Sequence, residues 1–531
     1  MSSKLYKSLL IALAIVLVVV SGQVQKSLNH DRDGLGLSRY TELKGAPPVL
    51  ALTTVALGGF RGLISNALWI RANDLQDEGK YFEMVQLADW ITKLEPHFTQ
   101  VWLVQAWNMA YNISVKFKDF GDRWRWVQRG IELLRDDGLR YNPHDVLIHR
   151  ELSWFFQHKM GAFLDDAHNV YKLRWAMDMN TVFGTNGAVM GSTLQQVNWE
   201  DYIHPKTTNQ LNMTYLLTNK YKIDPVLAKE VDEHYGPLEW RLPEAHAIYW
   251  AKRGLNMAAL NERKINPEDL ITLRRVIYQD MQLSFQRGRL IADLSDSTHK
   301  RFDYGPNLDI IPNVSASYEE MMKDDEKNKD HIETGHRNFI RQAVFDLYTY
   351  NRIEEATKWF KYLGERYPQK SMIDGRPESL PGTVSLFQYI TAQLEEEVRS
   401  TGKDKAQTIV EGMERTAMVC LARGEEDRFI GFKNLGERFY QHYQGDTPDM
   451  STNRVALAPL RQIQQEVFQR LVERRGISQG GIQQVITVMH LDPPILPTNA
   501  VPTEASAPAP TEQSAPPVGG PATNSPAEKP K

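Results

Sequence analysis

The chain has 531 residues, 42% hydrophobic and 10% aromatic, enough to bury a large core and to form two to four domains or one extended array. Its formal charge of -4, from 62 basic and 66 acidic residues, supplies no drive toward a polyanion, so nucleic acid is not an expected partner. A single cysteine, Cys420, excludes an intramolecular disulfide and any multi-cysteine metal centre.

Lys4 and Lys7 precede an uninterrupted apolar run from Leu9 to Val20, the arrangement of a membrane-targeting segment. The run suits a signal-peptide core. Tyr6 and the uncharged stretch Ser21 to Val24 extend it toward the length of about 17 residues that a crossing helix needs. Residues 1–24 are therefore expected to be a signal-anchor or a cleaved signal peptide, with the bulk of the chain extracytoplasmic, and periplasmic if the source is bacterial. A membrane-proximal segment, 25–68, carries a second apolar stretch, "APPVLALTTVALGGFRGLISNALWI", from Ala46 to Ile70. Arg61 near its centre costs about 2.5 to 3.5 kcal/mol in a bilayer, and Gly58, Gly59 and Gly62 weaken a helix there. Packing on the protein, lying in the membrane surface and spanning it are all open.

From about Trp69 to Gln484 apolar residues recur at three- and four-residue spacing with very few alternating runs, which predicts an all-α fold. Pro96, Pro143, Pro225, Pro243 and Pro267 each stand where a periodic segment opens. The pattern is interrupted twice, by a Gly-, Thr- and Asn-rich stretch over 171–221 and by "DSTHKRFDYGPNLDIIPNVSASY" from Asp296 to Tyr318. These breaks divide the chain into a helical lobe (69–170), an irregular crossing segment (171–221), a further helical segment (222–295), a loop (296–318) and a second lobe (319–485). Beyond residue 485 the chain passes into a Pro-, Ala-, Ser- and Thr-rich stretch to Lys531, too poor in large apolar groups to offset its ordering entropy and expected to be a disordered tail.

Within the first lobe one punctuation occurs twice. "PHFTQVWLVQAW" begins at Pro96 and "PHDVLIHRELSW" begins at Pro143, each with Pro-His, a ring at the seventh position and Trp at the twelfth. Stacked helical hairpins need the same start signal and the same buried positions in each unit. The pattern resembles the tetratricopeptide repeat (TPR). It is fullest in "FIRQAVFDLYTYNRIEEATKWFKYLGERYP", where Ile340, Ala343, Val344 and Leu347 stand at the helix A positions, and Ala356, Phe360, Leu363 and Pro368 at those of helix B and the boundary. In the earlier hairpins Trp102 and Ala106, then His149 and Ser153, fit helix A. Met84, Ala88 and Ile91, then Ile131, Arg135 and Gly138, fall at the helix B positions. The 47-residue offset exceeds the usual repeat, and an insertion around "FKDFGDRWRW" is the expected reason.

The resemblance covers about a third of the chain. It implies a TPR-like array of helical hairpins, an α-solenoid, that binds other proteins along the inner face of each helix A, with no catalytic residue, metal or cofactor. The positions it points to are Gln100, Leu103, Trp107 and Tyr111 in the first hairpin, Arg150, Trp154 and His158 in the second, and Asn338, Arg341, Phe345 and Tyr348 in the third. Spacings of three and four put each set on one helical face. Trp107, Trp154 and Phe345 recur at one position, either as a recognition groove or as packing between hairpins.

Catalytic signals are weak. His331 and His336 are five residues apart, which misses the one-face spacing of a zinc-binding helix, and Glu333 lies between them. His149 and His158 fare no better, and Cys420 sits in an apolar run. The leading reading is a membrane-attached, non-catalytic scaffold of an envelope assembly such as a secretion, pilus or polymer-export machine. The alternative is an envelope hydrolase whose site lies in 171–221, where Glu200, Asp201 and His204 gather.

Overall fold

Pro225, Pro243 and Pro267 occupy first turns, where their fixed φ suits the helix and no backbone donor is lost. Pro96 and Pro143 instead precede their helices, which begin at Thr99 and Val146. In the computed structural model, residues 61–494 are described, apart from 162–164, 185–196, 261–264, 293–301, 374, 399–404, 446–456 and 475, together with isolated helical positions between 16 and 31. The run from Leu9 to Val20 thus lies almost wholly outside the described residues; of the tail expected from 486, residues 486–494 are described, with the helix Gln479–Met489 running into it and Leu491 buried, and the rest lies outside.

The chain is mostly helical, as its periodicity predicts. Helices α1 (Arg61–Asp77) and α2 (Tyr81–Leu94) pack together, joined by a turn in which Gly79 takes a left-handed φ of 70°. Helix α3 (Thr99–Trp107) runs on through a π-helical turn, Asn108–Ile113. It packs on α4 (Phe120–Glu132), which is prolonged by Leu133–Gly138 and Leu139–Tyr141. Helix α5 (Val146–Trp154) is continued by a second π-helical turn, Phe155–Gly161. Next come α6 (His168–Phe183), α7 (Glu200–Ile203), α8 (Thr208–Tyr215), α9 (Pro225–Tyr235), α10 (Pro243–Ala259) and α11 (Pro267–Arg287). A short antiparallel hairpin, β1 (Arg289–Ala292) and β2 (Phe302–Gly305), pairs Arg289 with Gly305. The remaining helices are α12 (Ile311–Asp324), α13 (Lys329–Thr349), α14 (Ile353–Arg366), α15 (Leu386–Val398), α16 (Lys405–Ala422), α17 (Glu426–Gly445), α18 (Leu460–Glu473) and α19 (Gln479–Met489).

Several helices pack on neighbours in the series, α11 on α12, α12 on α13, α13 on α14 and α16 on α17, α18 and α19, whereas α5 meets α3 and packs chiefly on the more distant α10 and α11. One continuous apolar core runs from Trp102 to Leu491. Most of the positions assigned to packing are inside, Phe360 being half-buried. Met84, Ala88 and Ile91 are buried in α2, Ile131, Arg135 and Gly138 in the prolonged α4, and Ile340, Ala343, Val344, Leu347, Ala356 and Leu363 in α13 and α14.

Three expectations change. The 47-residue offset is not caused by an insertion: "FKDFGDRWRW" is the turn 117–119 followed by the start of α4, where Asp119 accepts from the Asp122 backbone N–H at 2.9 Å. The spacing is long because both helices of the unit are long. In 171–221 the described residues are largely helical, carrying most of α6 and all of α7 and α8, with Tyr171, Trp175, Met179 and Val182 giving α6 a buried face, while most of the Gly-, Thr- and Asn-rich stretch, 185–196, lies outside the described residues. In the described part of the expected loop, 302–318, strand β2 and the first part of α12 are found, with Ile311, Val314 and Tyr318 buried at helical spacing.

Candidate functional site

The repeated Pro-His marks a joint between hairpins. The Pro96 carbonyl accepts from Trp102 Nε1 at 2.9 Å, tying the turn to its own helix, and from Asn142 Nδ2 at 2.9 Å, tying it to the end of the next unit. Asp145 caps α5, its Oδ1 accepting from the backbone N–H of Leu147 at 2.9 Å and of Ile148 at 3.3 Å. Its other oxygen accepts from Thr99 Oγ at 2.5 Å across the joint. Trp102 stacks on Tyr141, centroids 5.9 Å apart. These bonds fix α5 beside α3 in a register of one repeat.

That register brings equivalent positions side by side. Adding 47 converts Gln100, Leu103, Val104 and Trp107 into Leu147, Arg150, Glu151 and Trp154. All of these except Trp154 line one groove of about 310 Å³, closed on the α1 and α2 side by Gln76 and Met84 and further along α3 by Asn108 and Asn112. Of the positions singled out from the sequence, Gln100, Leu103, Trp107 and Arg150 are in this groove. Trp107 is 40% exposed, and Tyr111 is stacked against it at 4.0 Å between centroids. The next unit repeats the pair, with Trp154 stacked on His158 at 4.5 Å. The two pairs join where Tyr111 Oη and His158 Nδ1 hydrogen-bond at 3.1 Å. Tyr111, Trp154 and His158 therefore form a half-buried aromatic cluster behind the groove.

The groove's electrostatics turn on Glu151, which sequence reasoning passed over. Its Oε1 is buried with no hydrogen-bond partner. Burial pushes its carboxyl up to about 7, against the opposing pull of Arg150. The Arg150 guanidinium is itself hydrogen-bonded to Asp269 on α11. Burial, reinforced by the Glu151 charge, raises the Tyr111 phenol, and Lys159 lies 4.9 Å from the centre of the Tyr111 ring. Burial and then the charge of Lys159 lower the His158 imidazole. The 47-residue frame alone would have found Glu151, because it stands one repeat after Val104 on the same face.

The third hairpin departs from the expectation. Asn338 is exposed and Phe345 half-buried, but Arg341 is buried and Tyr348 is only 3% exposed. Tyr348 Oη accepts from Arg438 Nη1 at 3.1 Å, and the Arg341 carbonyl accepts from Tyr389 Oη at 3.2 Å. Helices α15 and α17 pack on α13 and cover this face, so Arg341 and Tyr348 are interior contacts rather than an open surface.

The suspected catalytic residues do not converge. Glu200 is exposed and paired with Lys229 at 2.7 Å, Asp201 is half-buried, and His204 is exposed. His336 is buried between Ser315 Oγ at 2.8 Å and Tyr367 Oη at 2.9 Å, whereas His331 is exposed. Cys420 is buried, and burial pushes its thiol up to about 12, away from reactivity at neutral pH. Among the described residues no group of three or more His, Cys, Asp or Glu could hold a metal ion, and no helix is long and apolar enough to cross a membrane. No family model, curated protein or solved structure matches this chain.

Proposed function

We propose that this chain is a membrane-attached, non-catalytic scaffold, a TPR-like array of helical hairpins that holds an extended segment of a partner protein in the groove between α1, α2, α3 and α5. The observation that carries the reading is Trp107, a large ring left 40% exposed at the mouth of a groove whose walls come from equivalent positions of two successive hairpins. A rigid aromatic at the centre of a concave surface offers contact area at little entropic cost. Attachment rests on the apolar run Leu9 to Val20, and it is supported by exposed apolar groups on the first two described helices, Leu63, Ile64 and Ile70 on α1 and Phe82 and Trp90 on α2. The partners in mind are components of an envelope assembly.

A photocrosslinking amino acid at Gln100 in the full-length chain, irradiated in intact membranes, tests this. Crosslinks to a defined protein that vanish with Trp107→Ala support the reading. Crosslinks unaffected by Trp107→Ala, or a full-length chain found in the soluble fraction, count against it.

A further inference from the structure

We propose that the groove selects a lysine or arginine side chain on the partner segment, with the aliphatic stem lying along Leu103, Val104 and Leu147 and the cationic head meeting Glu151 beside the Trp107 ring. The inference rests on the docking reading above and adds the chemistry of the occupant.

Glu151 supplies the first argument. Glu151 lines the groove with one carboxylate oxygen shielded from solvent and without a donor, which is costly, and a cation held against that carboxylate offsets the cost. Three of the donors that line the groove are bonded elsewhere: the Arg150 guanidinium bonds Asp269, Asn112 Nδ2 donates to Asn108 Oδ1 at 3.2 Å, and Asn108 Nδ2 reaches the Tyr81 carbonyl at 3.5 Å. An anionic occupant would place like charge against Glu151. An apolar occupant would leave Oε1 as costly as before.

The second argument is the indole. One face of Trp107 is covered by Tyr111 at an interplanar angle of 15°, while the ring stays 40% exposed, so a π surface remains for a cation. Trp107 and Glu151 line the same groove, so both face one occupant. Leu103, Val104 and Leu147 add an apolar wall of the kind that lysine and arginine stems cover while their heads stay polar. The volume, about 310 Å³, is at the lower end for small-ligand sites and suits a side chain with little backbone. Burial also pushes the Glu151 carboxyl up to about 7, and a cation bound beside it draws it back down.

The test selects a phage-displayed random heptapeptide library on the full-length chain in detergent micelles. Retained peptides should share Lys or Arg at one position. A synthetic copy of the strongest should lose at least tenfold in affinity to the Glu151→Gln chain, and the same when its basic residue is replaced by norleucine. Glu151→Gln keeps the side chain's shape, so an unchanged melting temperature shows that the loss is not unfolding. Trp107-dependent peptides with an acidic, amide or apolar consensus, or a basic peptide indifferent to Glu151→Gln, overturn the choice of cation and leave docking standing. A library that yields no peptide sensitive to Trp107→Ala overturns the docking reading and this inference with it.

Discussion

Tyr111 and His158 stand 47 residues apart in the sequence, occupy the same place in successive units, and touch: phenol oxygen and imidazole Nδ1 are 3.1 Å apart. Thr99 and Asp145, 46 apart, meet in the same way at 2.5 Å. A chain repeats its punctuation when neighbouring units share an interface, since both sides must supply matched groups at a fixed offset.

The two tryptophans of α3 separate packing from recognition. Trp102 is 4% exposed, stacked on Tyr141 and bonded to the Pro96 carbonyl. Trp102→Ala should cost about 3–5 kcal/mol by transfer and cavity terms. Trp107→Ala removes an exposed ring and a stack on Tyr111, about 0.5–1.5 kcal/mol. Urea denaturation of the two variants should differ by more than about 1.5 kcal/mol; equal losses would mean that Trp107 is a packing residue.

The joint at Asp145 carries both a helix cap and a bridge to Thr99. Asp145→Ala should cost about 0.5–2 kcal/mol through the cap alone. Combined with Thr99→Val it should show a coupling of at least about 0.5 kcal/mol in a double-mutant cycle. Strict additivity would show that the bridge is not formed in solution.

Two glycines should respond oppositely to alanine. A Cβ at Gly431 on α17 would lie 2.0 Å from the Thr349 carbonyl oxygen at the end of α13, so Gly431→Ala should cost about 3 kcal/mol. Gly412 on α16 is exposed with nothing near, so Gly412→Ala should gain about 0.5–1 kcal/mol of helix propensity. Melting temperatures moving in opposite directions are the expected result.

Glu414 gives a pH signature. It is fully buried, its Oε2 accepts from Gln464 Nε2 at 3.1 Å, and burial pushes its carboxyl up to about 7. Unfolded, the group ionises near 4.5, so between these values the folded chain holds a proton that the unfolded chain has released. Its stabilisation is complete below 4.5 and is lost as pH rises through about 7. His336 works the other way: burial holds it down to about 4 from 6.5, so stability is lost as pH falls from about 6.5 to about 4, which opposes Glu414 where the two windows overlap. Glu414→Gln should therefore make the melting temperature fall less, or rise more, as pH goes from 4.5 to 7, while leaving the His336 contribution in place. An unchanged pH dependence would place the titration elsewhere.

The helical class, the first-turn prolines at 225, 243 and 267 and the buried stripes of α2 and α13 were all legible in the sequence, because each depends on spacing within one helix. The repeat at Pro96 and Pro143 was legible for the same reason, and with it four groove residues, Gln100, Leu103, Trp107 and Arg150. What spacing could not decide was which faces are left uncovered. Tyr111 and Tyr348 stand at comparable helix A positions, yet Tyr111 is half-buried beside the exposed Trp107, whereas Tyr348 is sealed by α15 and α17, helices distant in sequence. The same holds for Glu151. Its burial, its unpartnered oxygen and the raised ionisation that follows depend on α5 lying beside α3 and on Arg150 turning to Asp269, 119 residues further along the chain. Local periodicity sets which residues share a face, whereas exposure and ionisation belong to the groups that tertiary packing brings opposite that face.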